Sequence, residues 1–458
     1  MAITLRENQI LPVKIGCDFF QQKKAEPSLI VCPTAWGKSV LIAKVTESIT
    51  DNVLCLQPGR DLLSQNLEKY TLLGGRASVY SASFGSKRLS RVVYATIGSI
   101  KEIGNRFKEM GFTKMIIDEA DQYPRSEGML GKFLKDSGIS HVMGVTATPL
   151  KLQSNIDQYG RPYSKLVMLT SNSKKGRFYK EIISVSQIQE IIKLGYWAKL
   201  HYEQYDLDET GLRFNSTMAD FTEESVKKVY ESNDIHGKIL QKLVDMSGRK
   251  SILVFVPSIQ DAIALVARTP GAAAVYSGMP DKDRIKVTQG FKDLRIRTVY
   301  NVNIFGVGFD HQRLDGIIDG FPTGSLTRYY QRYGRGTRIH PLKADCLIVD
   351  FAGNVKRFGK IEHFYYEKEG SLWKLYGEGD VLLSGIPLHE IGKFRKNPLP
   401  ESALSASTDI VMPFGKHIGK KLSEVPKSYF AWMLGGDFSW KPENMDLKQA
   451  IEKMITSA

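Results

Sequence analysis

Lys38 and Ser39 follow a glycine inside "LIVCPTAWGKSV", residues 29–40. An apolar run, a tight loop, Gly-Lys-Ser and a helix-like segment together form a layout that can hold phosphates. Backbone N–H groups at a helix start cradle the oxygens, the lysine neutralises charge, and the hydroxyl coordinates Mg2+. Val40, Leu41, Val45 and Ile49 give the following segment an apolar helical face. Two features depart from the usual loop: Cys32 stands at the first glycine position, and Trp36 directly precedes Gly37. Taken alone, Gly-Lys-Ser reads either as a phosphate loop or as a plain helix start.

Further along, "KMIIDEADQYP" ends an apolar run in Asp118 and Glu119. Carboxylates at the C-terminal end of a parallel strand lie where α/β sheets bind ligands. There Asp118 would hold Mg2+ through water, and Glu119 would orient or deprotonate a water attacking a γ-phosphate. An acidic helix cap is the plain alternative for the pair, but the combination with Lys38 favours the chemical reading. In "GVTATP", Thr146 and Thr148 flank Ala147 and present hydroxyls where sheet meets cleft, or simply mark a strand-to-turn step at Pro149. "YYQRYGRGTRIHP" predicts a helix that gathers Gln331, Arg335 and Arg338 within two turns. Arginines delivered from a neighbouring domain stabilise charge on a transferring phosphoryl group. A solvated basic helix is the alternative, although Gly334 and Gly336 weigh against it.

Such residues need parallel sheets to position them. The first half supplies the apolar runs "SLIVCP", "NVLCLQP", "RVVYAT", "KMIIDEA" and "HVMGVTATP"; a second series has "SILVFVPS", "AAAVYSG", "RTVYNVN", "LDGIIDGFP" and "ADCLIVDF". Continuous apolar strands between helix-like stretches indicate an α/β fold with two parallel-sheet domains, about residues 1–150 and 240–355. Residues 151–239 form a more polar connecting segment. Within it "SQIQEIIKLGYW" predicts a helix with a Ser186/Gln189 capping box and a stop at Gly195. A C-terminal extension covers 356–396, the Pro- and Ser-bearing run at 397–409 reads as a linker, and 410–458 as a small basic module.

The bulk numbers agree with this division. A chain of 458 residues, 42% hydrophobic and 24% charged, exceeds one ordinary core. The net charge of +14 suits a polyanionic partner, nucleic acid being the natural one, or a soluble basic protein with no such partner, and charge alone does not choose between them. Four cysteines without a Cys-x-x-Cys pair support neither a disulfide framework nor a zinc cluster. No apolar run approaches bilayer length, and "MAITLRENQI" lacks the layout of a signal peptide, so a cytoplasmic protein without membrane contact is expected.

The whole constellation resembles the core of superfamily 2 helicases and translocases, over about residues 3–355. Within that superfamily "LRENQ", "NVNIFGVGFD", "YQRYGRGTR" and "ADCLIVDFAGN" are similar to bacterial RadD-like helicases and their phage relatives. The cysteine-rich zinc region of that family is missing. The literal "DEAD" suggests RNA-remodelling members, but those usually carry "SAT" and "HRxGRxGR" where this chain has "TAT" and "YQRYGRGTR".

This resemblance implies two RecA-like domains in tandem and a bacterial or phage-infected cell. It implies ATP bound by Arg6 and Gln9 near the base, by Pro33, Thr34, Ala35, Gly37, Lys38 and Ser39 at the phosphates, and by Gly308 and Asp310. Nucleic acid would meet Arg60, Gln65, Thr96, Ser99 and Arg284, while Thr146 and Thr148 couple the two ligands. Many loops of the superfamily lack the first glycine, which makes Cys32 acceptable. Ala35 then supplies the backbone N–H where glycine is usual, provided its φ stays negative, and Trp36 either packs over the loop or shields the cleft.

"FGKHIGKKLSEVPKSYFAWML" resembles a small module of phage and bacterial nuclease-associated proteins. Its Lys416, Lys420 and Lys421 could contact phosphates; Trp432 could stack on a base, but it and Phe430 read better as core of a mini-domain. The expectation is an ATP- and Mg2+-dependent DNA helicase or translocase, moving 3′ to 5′ on single-stranded or branched DNA in repair, recombination or replication. The alternatives are an RNA helicase, a motor subunit beside a separate nuclease, and a non-hydrolysing clamp. A nuclease or a single-strand-binding protein is the expected further partner.

Overall fold

The protein is described from a computed structural model that covers residues 4–124, 127–170, 178–302, 310–396 and 411–434, with 440, 444, 447, 448 and 451. Gly308 and the linker at 397–409 lie outside the described residues. Backbone contacts divide the chain into two compact units, Met1–Phe394 and Arg395–Ala458.

In the larger unit the apolar runs become strands. The first ten are β1 (Ser28–Val31), β2 (Val53–Gln57), β3 (Ser78–Ser81), β4 (Ser86–Lys87), β5 (Val92–Thr96), β6 (Lys114–Asp118), β7 (His141–Thr146), β8 (Leu150–Ile156), β9 (Pro162–Met168) and β10 (Glu181–Val185). Eight of them form one sheet in the order β10-β1-β7-β6-β2-β5-β3-β4, parallel except for the β3–β4 hairpin. β2 and β7 are buried at every position, as a sheet covered on both faces demands. Each fully buried Leu, Ile or Val contributes about 1.5–3 kcal/mol. β8 and β9 pair as a separate antiparallel hairpin.

The second lobe contains β11 (Lys199–Gln204), β12 (Ile252–Phe255), β13 (Ala273–Tyr276), β14 (Thr298–Val302), β15 (Gly316–Asp319) and β16 (Asp345–Asp350). They form a parallel sheet in the order β11-β16-β15-β12-β14-β13. The unit is thus mixed α/β with two RecA-like parallel sheets in tandem. The stretch that composition marks as connecting contributes β10 to the first sheet and β11 to the second. The C-terminal extension adds the hairpin β17 (Tyr365–Glu369) and β18 (Leu372–Tyr376).

Two local expectations are corrected. The segment after β10 is helical over Ile188–Lys193, with Gln187 as its cap and no side-chain capping bond. Ser186 instead extends the sheet through its N–H to the Val31 carbonyl, and Gln189 donates to the carbonyls of Glu362 and Phe364. Gly195 does turn the chain, at φ +74°. The helix carrying Gln331 ends at Tyr333, so Arg335 and Arg338 stand on the turn beyond it rather than on a shared helix face. Gly334 and Gly336 explain the stop, since glycine is poor in helices and both are tightly packed.

In the smaller unit Phe430, Met433, Met412, Leu422 and Val425 form a small core. Phe430 is fully buried, as expected, whereas Trp432 is 51% exposed and lies beside Tyr429 rather than in that core.

Candidate functional site

The loop between β1 and the helix α2 (Lys38–Ser48) is shaped by its neighbours. Gly37 has φ +101°, and a Cβ there would meet Gln9 Nε2 at 2.6 Å, so only glycine fits. Ala35 has φ +60°, against the expectation of a negative angle. This left-handed conformation costs an alanine about 1–2 kcal/mol, which the surrounding loop must offset. The Trp36 side chain is fully buried within the hydrophobic core, and its carbonyl accepts from Gln9 Nε2 at 2.8 Å. Gln9 also accepts from the Arg6 backbone N–H at 3.0 Å, while the Arg6 guanidinium lies 4.4 Å over the Tyr196 ring. These contacts bring the two expected base-binding residues to the rim of the phosphate loop.

Lys38 reaches across to the end of β6, where its Nζ meets Glu119 Oε1 at 2.5 Å. Glu119 sits at φ +47°, a turn that aims its carboxylate at the lysine. Asp118 is buried; its Oδ2 accepts from Asn66 Nδ2 at 2.7 Å and its Oδ1 from the Glu119 N–H at 2.9 Å. Asn66 is itself tied to Gln57 Oε1 at 2.6 Å. Thr146 donates to Asp121 Oδ1 at 2.6 Å, and its hydroxyl accepts from the Thr148 N–H at 3.1 Å. The strand ends of β6 and β7 are therefore coupled side by side.

Charge is concentrated here. Burial and the neighbouring Glu119 push Asp118 up to about 6, against the pull of Lys38. Asp121 is pushed up to about 6 by the same causes. Burial alone would lower the Lys38 ammonium, but Glu119 and Asp118 outweigh it and hold it above the ordinary lysine value. A buried acid destabilised in this way is a fitting neighbour for a divalent cation. Ser39 is the second residue of α2, directly after Lys38. Among the described residues no group of three or more His, Cys, Asp or Glu could cage a metal alone.

The second lobe grips the same loop at Thr34. The Thr34 N–H donates to Tyr330 Oη at 3.2 Å, and its carbonyl accepts from Trp197 Nε1 at 2.9 Å. A Cβ on Gly334 would come within 2.6 Å of Thr34 Oγ1, which accounts for that glycine. Arg335, next along, is buried and within electrostatic reach of Glu119. Burial and the adjacent Arg338 press its guanidinium down to about 9. Arg338 pairs with Asp310, and Gln331 is half-buried on the last turn of its helix. Arg332 is held by a buried ion pair to Asp319 Oδ1 at 3.0 Å. From the extension, Tyr366 Oη donates to the Ala147 carbonyl at 3.1 Å.

The expected strand contacts gather at the C-terminal ends of β2 and β5. Arg60 opens the helix α3 (Arg60–Leu72) and lies 5.4 Å from the Phe84 ring. Thr96 and Ser99 share a hydroxyl bond of 3.1 Å, and Gln65 is half-buried on α3. Asp281 of the second lobe receives Arg60 at 3.9 Å and Arg284 at 2.7 Å, so contacts from both lobes meet at one carboxylate. Lys416, Lys420 and Lys421 lie in the smaller unit and are exposed. Sequence reasoning missed Asn66, Gln57, Tyr330, Trp197 and Arg332. The one available signal was polar residues, Gln57 and Asn66, at otherwise apolar strand and helix positions.

Comparison with known proteins adds independent support. Residues 2–151 match the family described as type III restriction enzyme, res subunit, and residues 236–340 match the helicase conserved C-terminal domain. Residues 400–445 match a family described as a quorum-sensing-regulated virulence factor. A Schizosaccharomyces pombe protein named as mitochondrial ATP-dependent helicase irc3 is 27% identical over 159 residues, 30% of this chain and 26% of that protein. A 51.5 kDa protein of a Lactococcus phage is 21% identical over 77% of this chain and 72% of its own. The structure of the type ISP restriction-modification enzyme LlaBIII bound to DNA superposes on 76% of this chain at a TM-score of 0.54 and 16% identity, matching 28% of that enzyme. The chain thus spans about a quarter of the length of the irc3 protein and of LlaBIII, and 72% of the phage protein. With twin parallel sheets, a Lys38–Glu119 centre, an arginine turn from the second lobe and both halves of the helicase pattern in order, the chain belongs to superfamily 2 of the helicases.

Proposed function

We propose that this protein is an ATP-dependent DNA helicase or translocase, moving 3′ to 5′ by analogy with its superfamily. The observation that carries the reading is the approach of Arg335 to Glu119 across the two lobes, with Tyr330 and Gly334 seated on Thr34 of the phosphate loop. ATP would enter between the lobes. Its β- and γ-phosphates would take Lys38 from Glu119, freeing that carboxylate to orient the attacking water. Asp118 and Ser39 would hold Mg2+, which neutralises charge on the phosphates when bound. Arg335 and Arg338 would stabilise the transferring phosphoryl group, which requires Arg338 to leave Asp310. Loss of the γ-phosphate would remove what both lobes share, and Thr146–Asp121 would pass that change along the strand ends. Arg6 and Gln9 would recognise the base.

DNA is the substrate favoured by the likeness to a DNA-bound restriction enzyme, and the net charge of +14 suits either nucleic acid. The candidate contacts are Arg60, Gln65, Thr96, Ser99 and Arg284, together with Lys416, Lys420 and Lys421. No described helix is long and apolar enough to cross a membrane, which suits a cytoplasmic motor. The deciding experiment measures ATP turnover with single-stranded DNA and with RNA of the same sequence. Stimulation by DNA, abolished in Lys38→Ala and Glu119→Gln, is the expected result. Near-normal turnover in both variants refutes the motor, and stimulation by RNA alone reassigns its track.

A further inference from the structure

Away from the cleft, at the N-terminal ends of the first lobe's strands, a broad cavity of about 630 Å3 is lined by Tyr70, Gly75, Arg76, Ser78, Arg88 and Arg91. Ser78 opens β3, Arg91 directly precedes β5, and Gly75 follows the end of α3, so three elements converge on it. Arg91 is built in: its Nη1 donates to the Ile49 carbonyl at 2.5 Å and its Nη2 to Tyr70 Oη at 3.3 Å. Arg76 and Arg88 are exposed and have no ion pair among the described residues. The Ser78 hydroxyl is buried and has no hydrogen-bond partner among the described residues. Glu47 also borders the cavity, but its carboxylate is paired with Lys44 at 2.9 Å. The net result is a positive hollow, which suits a phosphate ester.

The hollow is joined to the candidate strand-binding face by one short hairpin. At the cleft end of β3 the Ala82 N–H donates to Ser99 Oγ at 3.0 Å, and Phe84 faces Arg60. β4 then runs back along β3, pairing Lys87 with Tyr80, and delivers exposed Lys87 and Arg88 to the hollow along the outer edge of the sheet. β3 has four residues, so its two ends are about 10 Å apart. The other route, along α3, sets exposed Asp61 and Glu68 against Arg60 and Lys69 and offers a polyanion no net positive charge. Tyr70 is 2% exposed and gives no ring face on which a base could stack, so the hollow suits backbone phosphate better than a free nucleotide.

We infer that Arg76 and Arg88 anchor the phosphate backbone of a nucleic-acid strand that leaves the Arg60–Ser99 face and turns over the β3–β4 edge. The inference rests on the nucleic-acid reading above and gives the strand an exit path outside the motor groove.

The test uses the full chain, a short oligonucleotide that fills only the groove, and a longer one of the same composition, with binding followed by fluorescence anisotropy over a salt series. Arg76→Ala/Arg88→Ala is expected to weaken the longer strand about ten-fold and to flatten its log–log salt slope by about 1.4, that is 0.7 for each lost phosphate contact on a single strand. Binding of the short strand and ATP turnover at saturating short strand should stay unchanged. Equal effects on both lengths, or none on either as expected if Lys87 and Arg88 merely guard a sheet edge, overturn the inference. So does nucleotide binding by a Lys38→Ala protein that is lost in the arginine variants, which would mark a small-molecule site. If the short strand fails to bind the unaltered protein, the nucleic-acid reading itself fails first.

Discussion

Lys38 Nζ and Glu119 Oε1 lie 2.5 Å apart, so the ammonium proposed to meet a triphosphate is paired with the carboxylate proposed to orient its attacking water. Each keeps the other's buried charge satisfied until nucleotide arrives. The two substitutions that break this pair should therefore differ. Lys38→Ala removes the phosphate partner and leaves Glu119 without its counter-ion, so ATP binding should be lost. Glu119→Gln releases Lys38, so ATP should bind at least as tightly as before while turnover falls by about 10²-fold or more. Equilibrium binding and steady-state turnover on the same two proteins check this; parallel loss of binding in both would contradict it.

The acid at Asp121 gives a pH signature. Its value of about 6 lies above the ordinary 3.8, so its neutral form is favoured in the folded state. That contribution is fully present below about pH 4 and is lost as pH rises through about 6. Asp121→Asn keeps an oxygen for the Thr146 hydroxyl and removes the charge. It should raise nucleotide-free stability at pH 8 by about 1–2 kcal/mol, allowing for partial exposure, with no gain at pH 4. Calorimetric melting of both proteins at the two pH values is the measurement.

The sequence announced those residues whose type and spacing are dictated by phosphate chemistry. Asp118 and Thr146 end β6 and β7, Glu119 follows at once, Lys38 and Ser39 open α2, and Arg335 stands on the turn after its helix, which is where the apolar runs lead one to expect them. What stayed hidden depends on tertiary contact. Trp36 looked like an accessory to the loop because nothing local says that its ring enters the core. Ala35 looked able to keep a negative φ because the constraint comes from the loop around it. Trp197 carries no motif and Tyr330 opens the "YQRYGRGTR" motif without a role assigned to it, yet both hold the backbone of Thr34 from far along the chain. The basic hollow at Arg76 and Arg88 was equally invisible, since its residues come from three separate elements.

Arg332 shows how the second lobe aims its arginines. Its guanidinium pairs with the fully buried Asp319 and donates to the Phe321 carbonyl at 2.7 Å, fixing the turn that begins two residues later. Arg332→Ala leaves buried Asp319 without its counter-ion, with Asn354 and the Phe321 N–H as its remaining donors among the described residues. Stability should drop by about 3–5 kcal/mol. Arg332→Lys should recover part of it, because one ammonium can still reach the carboxylate but cannot also reproduce the guanidinium geometry. Urea unfolding of the three proteins checks the order. If turnover by the lysine variant also falls while its ATP affinity is retained, the pair positions Arg335 rather than merely supporting the fold.

Tyr330 poses the sharpest question about the loop. Its hydroxyl accepts the Thr34 N–H at 3.2 Å, and that amide belongs to the very turn expected to face phosphate. If the contact is a stand-in that nucleotide displaces, Tyr330→Phe frees the amide beforehand, and ATP should bind several-fold more tightly, in line with about 1 kcal/mol for one hydrogen bond. If the contact instead persists and holds the loop open, the same variant should bind more weakly. Trp197→Phe provides the contrast. It removes a donor to the Thr34 carbonyl, which no phosphate can replace. Loop order should then suffer with or without nucleotide, and ATP affinity should fall several-fold. Titrating a fluorescent ATP analogue into both variants distinguishes them. Opposite signs would show that one lobe-to-loop bond is a latch and the other a brace.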